Sequence, residues 1–404
     1  MLTLEEAQGR LLDGVTPLGS DKLPVGDCLG RYLATDCLAA RTQPVADLSA
    51  MDGYAMRAGD NTGPWRVIGE SAAGHPFAGM VSAGEAVRIS TGAMMPTFAD
   101  GDTGAVLLQE NAVREGSRLS LSGESAPTPR HIRRKGFDFS TGDMLLPAGA
   151  YIDAAQLALA IAGGHGQLAV TRLPKVAIID SGDELAADPA NIAPHQLPAS
   201  NGAMLGAMAA PCACAITRLG PVPDQLEALL TALESAYEAD VIVTSGGASV
   251  GDHDLVRPAL EQWGAKIDFW KVAMKPGKPL MVARRGKQIV LGLPGNPVSS
   301  YVTAYLFLLP LLRRLAGAVQ PLPAPIEVSL VNDLPATGGR MEFLRGVLAG
   351  GEVMPLAQQD SSGLRALATA NVLIRREIRS PAASAGEKVQ AYLLGNGGAS
   401  FTTT

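Results

Sequence analysis

The segment Val241-Ile242-Val243-Thr244-Ser245-Gly246-Gly247-Ala248-Ser249-Val250-Gly251-Asp252-His253-Asp254 constrains this chain most tightly. A β-branched apolar run stops at a double glycine, a loop of small residues follows, and a helical pattern begins at Leu255. The order strand, glycine loop, helix is how α/β proteins build anion pockets from inward-pointing backbone N–H groups. This loop also carries two carboxylates, which repel a phosphate unless a cation lies between them. The segment therefore points to a phosphorylated ligand together with a hard metal ion.

The same alternation surrounds it. Val176–Ile179, Ala213–Ile216, Val241–Thr244 and Ile289–Leu293 are short apolar runs, separated by helical patterns at 200–210, 224–237, 254–263 and 297–316. Strands alternating with helices predict a parallel sheet with crossover helices and ligands at the carboxyl ends of the strands. In the last helix Asn296 is the expected N-cap and Pro297 the first residue; Arg313 and Arg314 fall in the last turn, Gly317 follows, and Pro310 predicts a kink.

The flanking texture differs. Residues 2–14 read as an amphipathic helix with Leu4, Ala7, Leu11 and Leu12 on one side, and 153–163 as another helix. Between 45 and 140 short runs such as Trp65–Ile68, Ala86–Ile89, Ala105–Gln109 and Arg118–Leu121 end at turn residues and predict a β module. After the linker Leu322-Pro323-Ala324-Pro325, strands are expected at Ile326–Leu330, Glu342–Leu348, Val372–Arg375 and Val389–Leu394. The expected fold class is α/β plus β. A split helical and extended dimerisation segment (1–44 and 139–172) would flank an inserted β-rich module (45–138). The central α/β domain would span 173–318, and a C-terminal β-barrel-like domain 319–404.

With 404 residues, 47% of them hydrophobic, such a chain can bury several cores. The net charge of −6 argues against nucleic acid as a main partner. Four cysteines are too few for a secreted disulfide scaffold, and Cys212-Ala213-Cys214 has no second pair at zinc-ligand spacing. An acidic N-terminus and no apolar helix of membrane-spanning length predict a soluble, cytoplasmic protein with no membrane partner.

Acids adjoin turn residues four times: Asp52, Asp138, Asp183 with Glu184, and Asp252 with Asp254. Each alone could be an N-cap or turn acid. Recurrence at successive strand ends suits Mg²⁺, which takes oxygen ligands and keeps several waters. Lys271 and Lys275-Pro276-Gly277-Lys278-Pro279 form a stiffened basic cluster suited to an oxyanion, or alternatively a charged surface turn. Leu293-Pro294-Gly295-Asn296-Pro297 delivers a helix N-terminus with room for close approach.

Ser49-Ala50-Met51-Asp52-Gly53-Tyr54-Ala55, Ser90-Thr91-Gly92-Ala93, Gly182-Asp183-Glu184-Leu185, the loop 245–252, Lys275–Pro279 and Leu293–Ser299 together resemble, in order, the motif series of molybdopterin molybdenumtransferase of the MoeA type. Its animal counterpart is the C-terminal domain of gephyrin. The resemblance implies a four-domain homodimer that inserts molybdenum from molybdate into adenylylated molybdopterin with Mg²⁺-dependent release of AMP. By motif, the catalytic residues would be Asp52, Thr91, Glu184, Asp252, Lys275 and Lys278. Asp138, Asp183, Ser245, Gly246, Gly247, Ser249, Gly251, Lys271, Pro294, Gly295, Asn296 and Pro297 would bind the cofactor, and Glu184, Asp252 and Asp254 the metal. A molybdopterin adenylyltransferase and molybdoenzyme apoproteins are the implied partners. Three positions depart from the family pattern. Asp180-Ser181 stands for Ser-Thr and adds a negative charge at the rim, Phe137 stands for Glu, and Arg365-Ala366 stands for a Ser-Ser pair. These departures keep a non-catalytic molybdopterin carrier or scaffold as the alternative.

Overall fold

A computed structural model describes residues 1–246, 255–269 and 271–395. Helix α1 (Leu4–Leu12) begins with a capping box in which Thr3 and Glu6 each bond the other's backbone N–H. Its buried apolar residues, Leu4, Ala7 and Leu11, join the largest core cluster, which also holds Val243, Leu291, Phe307 and Leu312 of the central domain.

The stretches 20–44 and 139–172 come together although about a hundred residues separate them. Ser20–Pro24 pairs antiparallel with Gln167–Thr171, and Cys37–Leu38 with Met144–Leu146. Val25, Cys28, Leu146, Ile152 and Val170 form their own small core. Between them lies a six-stranded sheet that includes β1 (Gly53–Arg57) and β2 (Gly104–Leu108) as neighbours. Gly53 is obligatory in that pairing: a Cβ there would lie 2.0 Å from the Leu107 carbonyl oxygen.

The central sheet contains β3 (Lys175–Ser181), β4 (Ala215–Val222), β5 (Val241–Ser245), β6 (Lys266–Phe269), β7 (Met281–Arg285) and β8 (Gln288–Leu293), in the spatial order β4-β3-β5-β8-β7-β6. The first four run parallel, as the alternation predicts. The last two are antiparallel additions that the sequence reading did not separate. β7 and β8 form a tight hairpin through Gly286, whose φ of +59° fits the turn. Helices cover both faces, so Val241, Ile242 and Val243 are all fully buried and read as an unbroken apolar run. β4 begins at Ala215 instead of 213 because Ala213 takes a left-handed turn (φ +49°).

Five strands of the C-terminal region close on themselves. Met341–Ala349, Glu352–Pro355, Ile326–Leu330, Lys388–Leu393 and Val372–Arg376 pair in a ring around Val328, Val353, Ile374 and Ala391. Closure removes the exposed edges an open sheet would leave. The barrel is tied to the central domain because Met274-Lys275 pairs parallel with Met341-Glu342. All four cysteines are free thiols, and burial, with Cys212 nearby, pushes the Cys214 thiol up to about 12. No helix among the described residues is long and apolar enough to cross a membrane.

Candidate functional site

Because β3, β5 and β8 are adjacent and parallel, their carboxyl ends open onto one rim. Three glycines let those ends approach. Gly182 and Gly246 have φ of +152° and +100°, and a Cβ on Gly246 would lie 2.5 Å from the Ser181 carbonyl oxygen. Gly295 follows β8, and a Cβ built on it would stand 3.7 Å from the Gly246 Cα, an ordinary contact. The resulting cavity, about 710 Å³, has Asp180, Ser181, Gly182, Glu184, Gly246, Pro279, Pro294, Gly295, Asn296 and Pro297 among its lining residues, with Asn201, Asp224, Ser362 and Leu364.

A second hollow of about 360 Å³ shares Pro279 with the first. It is lined by Lys275, Gly277, Lys278, Ser299, Arg340, Asp360 and Ser361. Gly277 (φ +99°) packs where a Cβ would meet the Thr303 hydroxyl at 2.5 Å, which holds the lysine loop against the helix α3 (Pro297–Thr303). Lys275 Nζ is 3.3 Å from Glu342 Oε1, its register partner on the barrel. Lys275, Lys278 and Arg340 thus share a hollow of their own, with Asp360 in its wall, beside the cavity that holds Asp180, Glu184 and Asp224.

The loop 358–362 forms the shared wall and is held from below. Arg345, only 1% exposed, donates to the carbonyls of Asp360 (3.0 Å) and Gln358 (2.8 Å). Burial lowers its guanidinium pKa, and Asp360 opposes that shift. From above, Asn296 Nδ2 donates to Ser361 Oγ at 3.0 Å and Val298 N to Ser361 O at 3.0 Å. Asn296 therefore occupies the N-cap position but spends its side chain on this loop, and makes no side-chain cap bond. The Ser362 hydroxyl and N–H hold the Asp360 carboxyl below the usual range.

Some candidates come together here and others do not. Glu184, Gly246, Pro294, Gly295, Asn296 and Pro297 line the acidic cavity, and Lys275 and Lys278 the basic one. Ser245 is buried at the end of β5 with its hydroxyl unpaired. Asp183 faces solvent and accepts the Asp224 N–H at 3.0 Å. Lys271 lines a different hollow with Met1, Leu2 and Arg10. Asp52, Thr91 and Asp138 are exposed on the inserted module and near it, and line neither cavity. Asp52 Oδ1 accepts both the Thr91 N–H (2.6 Å) and hydroxyl (2.8 Å), which lowers its pKa. Gly247, Ser249, Gly251, Asp252, His253 and Asp254 lie outside the described residues.

Asp180 is not an exposed rim charge: it is 4% exposed, and burial raises its pKa against the opposing pull of Arg218 and the Gly202 N–H. Nor does Arg365 line the cavity; it borders an apolar hollow with Leu356 and Thr369. Asn201, Arg340, Asp360 and Ser361 escaped the sequence reading. The turn-forming run Gln358-Gln359-Asp360-Ser361-Ser362-Gly363 could have flagged the last two.

Among the described residues no three His, Cys, Asp or Glu side chains cluster as a metal site. Mg²⁺ needs only one or two protein carboxylates when substrate phosphates supply the rest, and Glu184 in the cavity wall fits that donor set.

The rim pocket and the closed barrel define a class: a multidomain α/β protein with a molybdopterin-type binding domain. Residues 177–314 match the family described as probable molybdopterin binding domain. Residues 2–164 match the MoeA N-terminal region (domain I and II), and 327–394 the MoeA C-terminal region (domain IV). A molybdopterin molybdenumtransferase from Haemophilus influenzae is 33% identical, covering 96% of this chain and 98% of its own. Molybdopterin molybdenumtransferase 2 from Mycobacterium tuberculosis is 32% identical over 92% of this chain and 94% of its own. A molybdopterin biosynthesis MoeA protein structure from Pyrococcus horikoshii superposes with a TM-score of 0.84 at 26% identity, covering 98% of this chain and 100% of that one. The chain belongs to the MoeA family of molybdopterin molybdenumtransferases, transferases of molybdenum cofactor biosynthesis.

Proposed function

We propose that this protein transfers molybdenum from molybdate to the dithiolene of adenylylated molybdopterin and releases AMP with Mg²⁺. The observation that carries the reading is the junction at Pro279 of an acid-bearing cavity and a cavity lined by Lys275, Lys278 and Arg340. Molybdate and the phosphoanhydride are both anions, and two compartments keep the cations that collect one from neutralising the acids that serve the other.

Lys275, Lys278 and Arg340 hold oxyanions, Arg340 through its planar fork and the lysines as point charges. Gly246 and Gly295 leave bare backbone at the strand ends, where the pterin can approach closely. Glu184, with Asp252 and Asp254, would hold Mg²⁺ and orient the attacking water. Bound there, Mg²⁺ would neutralise charge as the phosphoanhydride breaks. Asp52 and Thr91 line neither cavity of their own chain, which supports a homodimer in which a second copy's inserted module completes the cleft.

The test is AMP release from adenylylated molybdopterin by purified protein with Mg²⁺, with and without molybdate. Release should depend on molybdate, and Glu184→Ala and Lys278→Ala should each lower kcat by about 10²-fold or more, the scale for losing one charge-stabilising group. Release indifferent to molybdate and to both substitutions refutes the reading. Tight binding without release would instead make the protein a carrier or scaffold.

A further inference from the structure

Of the departures from the family pattern, the Asp180-Ser181 pair lies in the wall of the acidic cavity, and Asp180 is the one that adds an acid there. It sits near the end of β3, opposite Ser245 of β5 in register. Its carboxyl packs on the first turn of helix α2 (Asn201–Ala209), whose N-cap residue Ser200 makes no side-chain cap bond. Oδ2 accepts the Gly202 N–H at 3.2 Å, and a Cβ on residue 202 would come 2.2 Å from that oxygen. Glycine at 202 is what admits the acid.

Oδ1 of Asp180 has no hydrogen-bond partner and is shut off from solvent. Asn201, also in the cavity wall, donates through Nδ2 to the Gly295 carbonyl at 2.7 Å, which fixes its amide and leaves Oδ1 likewise unpaired. Buried polar atoms normally find partners, and those that do not call for an explanation. Here two acceptors at one end of a ligand-sized cavity lack donors. Phosphate and molybdate cannot supply them, since both bring acceptors and negative charge. They are drawn instead to the adjoining hollow, where Lys275, Lys278 and Arg340 lie. Of the donor-bearing parts of the proposed substrate, the pterin ring presents at its 2-amino-4-oxo edge an amine beside a coplanar ring N–H, whereas the adenine amine is flanked by ring acceptors and the ribose hydroxyls are not coplanar. A carboxylate accepts such a paired donor as it accepts the fork of an arginine.

We infer that Asp180, with Asn201 beside it, recognises the 2-amino-4-oxo edge of the pterin and thereby sets the substrate's direction in the cleft. The ring lies toward α2, and the anionic groups point toward the lysines. The assignment rests on the cavity being the pterin site. Engagement of the covered oxygen needs a rotamer change at Asp180 or Asn201, which ligand contacts select.

The test measures how pterin-6-carboxylate and lumazine-6-carboxylate, which replaces the 2-amino group by oxygen, displace adenylylated molybdopterin. The native protein should prefer the pterin by about tenfold or more, as sites built around a donor reject the analogue lacking it. In Asp180→Asn, which keeps the shape and an acceptor for Gly202 N–H, the preference should collapse toward unity or invert. Asp180→Ser should lose the preference too while still binding adenylylated molybdopterin, which excludes simple unfolding. Equal displacement by the two fragments in the native protein, displacement by neither, or a preference unchanged in Asp180→Asn overturns the assignment. Failure of the native protein to bind adenylylated molybdopterin overturns the reading of the cavity itself.

Discussion

At the scale of residues, two carboxylates show how environment sets opposite behaviour. Asp180 is buried and its pKa is raised, so the native state keeps that proton to higher pH than the unfolded chain does. Between the ordinary carboxylate value and the raised one, the folded protein binds more protons. Stability contributed by this site therefore falls as pH rises through that window and stays low above it. Asp180→Asn removes the buried charge, so its gain in stability over the native protein should grow as the pH rises through that window. Thermal melts of both proteins from pH 4 to 8 measure the difference; a gain independent of pH contradicts the account. Asp52 behaves the other way. The Thr91 N–H and hydroxyl favour its charged form and lower its pKa. Thr91→Val leaves the N–H and removes the hydroxyl, so the acid limb of the pH profile of kcat/KM should move to higher pH. An acid limb that does not move refutes a role for ionised Asp52. The motifs around both acids were legible as sequence, but their protonation was not, because it depends on neighbours such as Gly202 and Thr91 that lie 22 and 39 positions away.

At the scale of elements, the helical pattern over 297–316 matches the observed span, and just before Pro310 the structure adds a π-helical turn over Ala304–Leu308 between two α segments. Proline has no N–H to give the carbonyl four residues back, that of Leu306. Gln8 of α1 supplies the missing donor: its Nε2 bonds Leu306 O at 2.8 Å in the core. This explains a buried glutamine on the apolar face of α1, which the periodicity alone assigned to Leu4, Ala7, Leu11 and Leu12. Gln8→Leu should cost about 1–3 kcal/mol by leaving that carbonyl unpaired. Pro310→Ala restores a backbone donor, so the double substitution should lose less than Gln8→Leu alone. Denaturant melts of the four proteins form the cycle, and strict additivity would show that the two positions are not coupled. Asn296 makes the same point more simply. Its residue type and place before Pro297 announced an N-cap, but Ser361 competes successfully for its side chain.

At the scale of the whole molecule, the division of candidates between separate surfaces of one chain is the feature with consequences. Asp52 and Thr91 stand on the inserted module, while Glu184 stands on the rim of the central sheet. In the proposed homodimer each cleft takes residues from both copies. Asp52→Ala and Glu184→Ala proteins, each inactive, should then recover activity when unfolded together and refolded. Random pairing places half the protomer pairs as mixed dimers with one intact cleft of two, so about a quarter of native activity should return. No recovery, with mixed dimers verified by tagged subunits, would put all the working residues on one chain. The order of motifs, the alternation of strand and helix, and the expectation of two β-rich regions all followed from the sequence, because turn chemistry and hydrophobic period are local properties. Tertiary structure decided the rest. It closed five strands into a barrel, docked the lysine segment onto that barrel by strand pairing, and hid Asp180 beneath α2. It also held the loop 358–362 between Arg345, which bonds Gln358 and Asp360, and Asn296, which bonds Ser361. Those outcomes depend on which distant groups compete for the same hydrogen bonds and the same space, and no local pattern encodes the result of that competition.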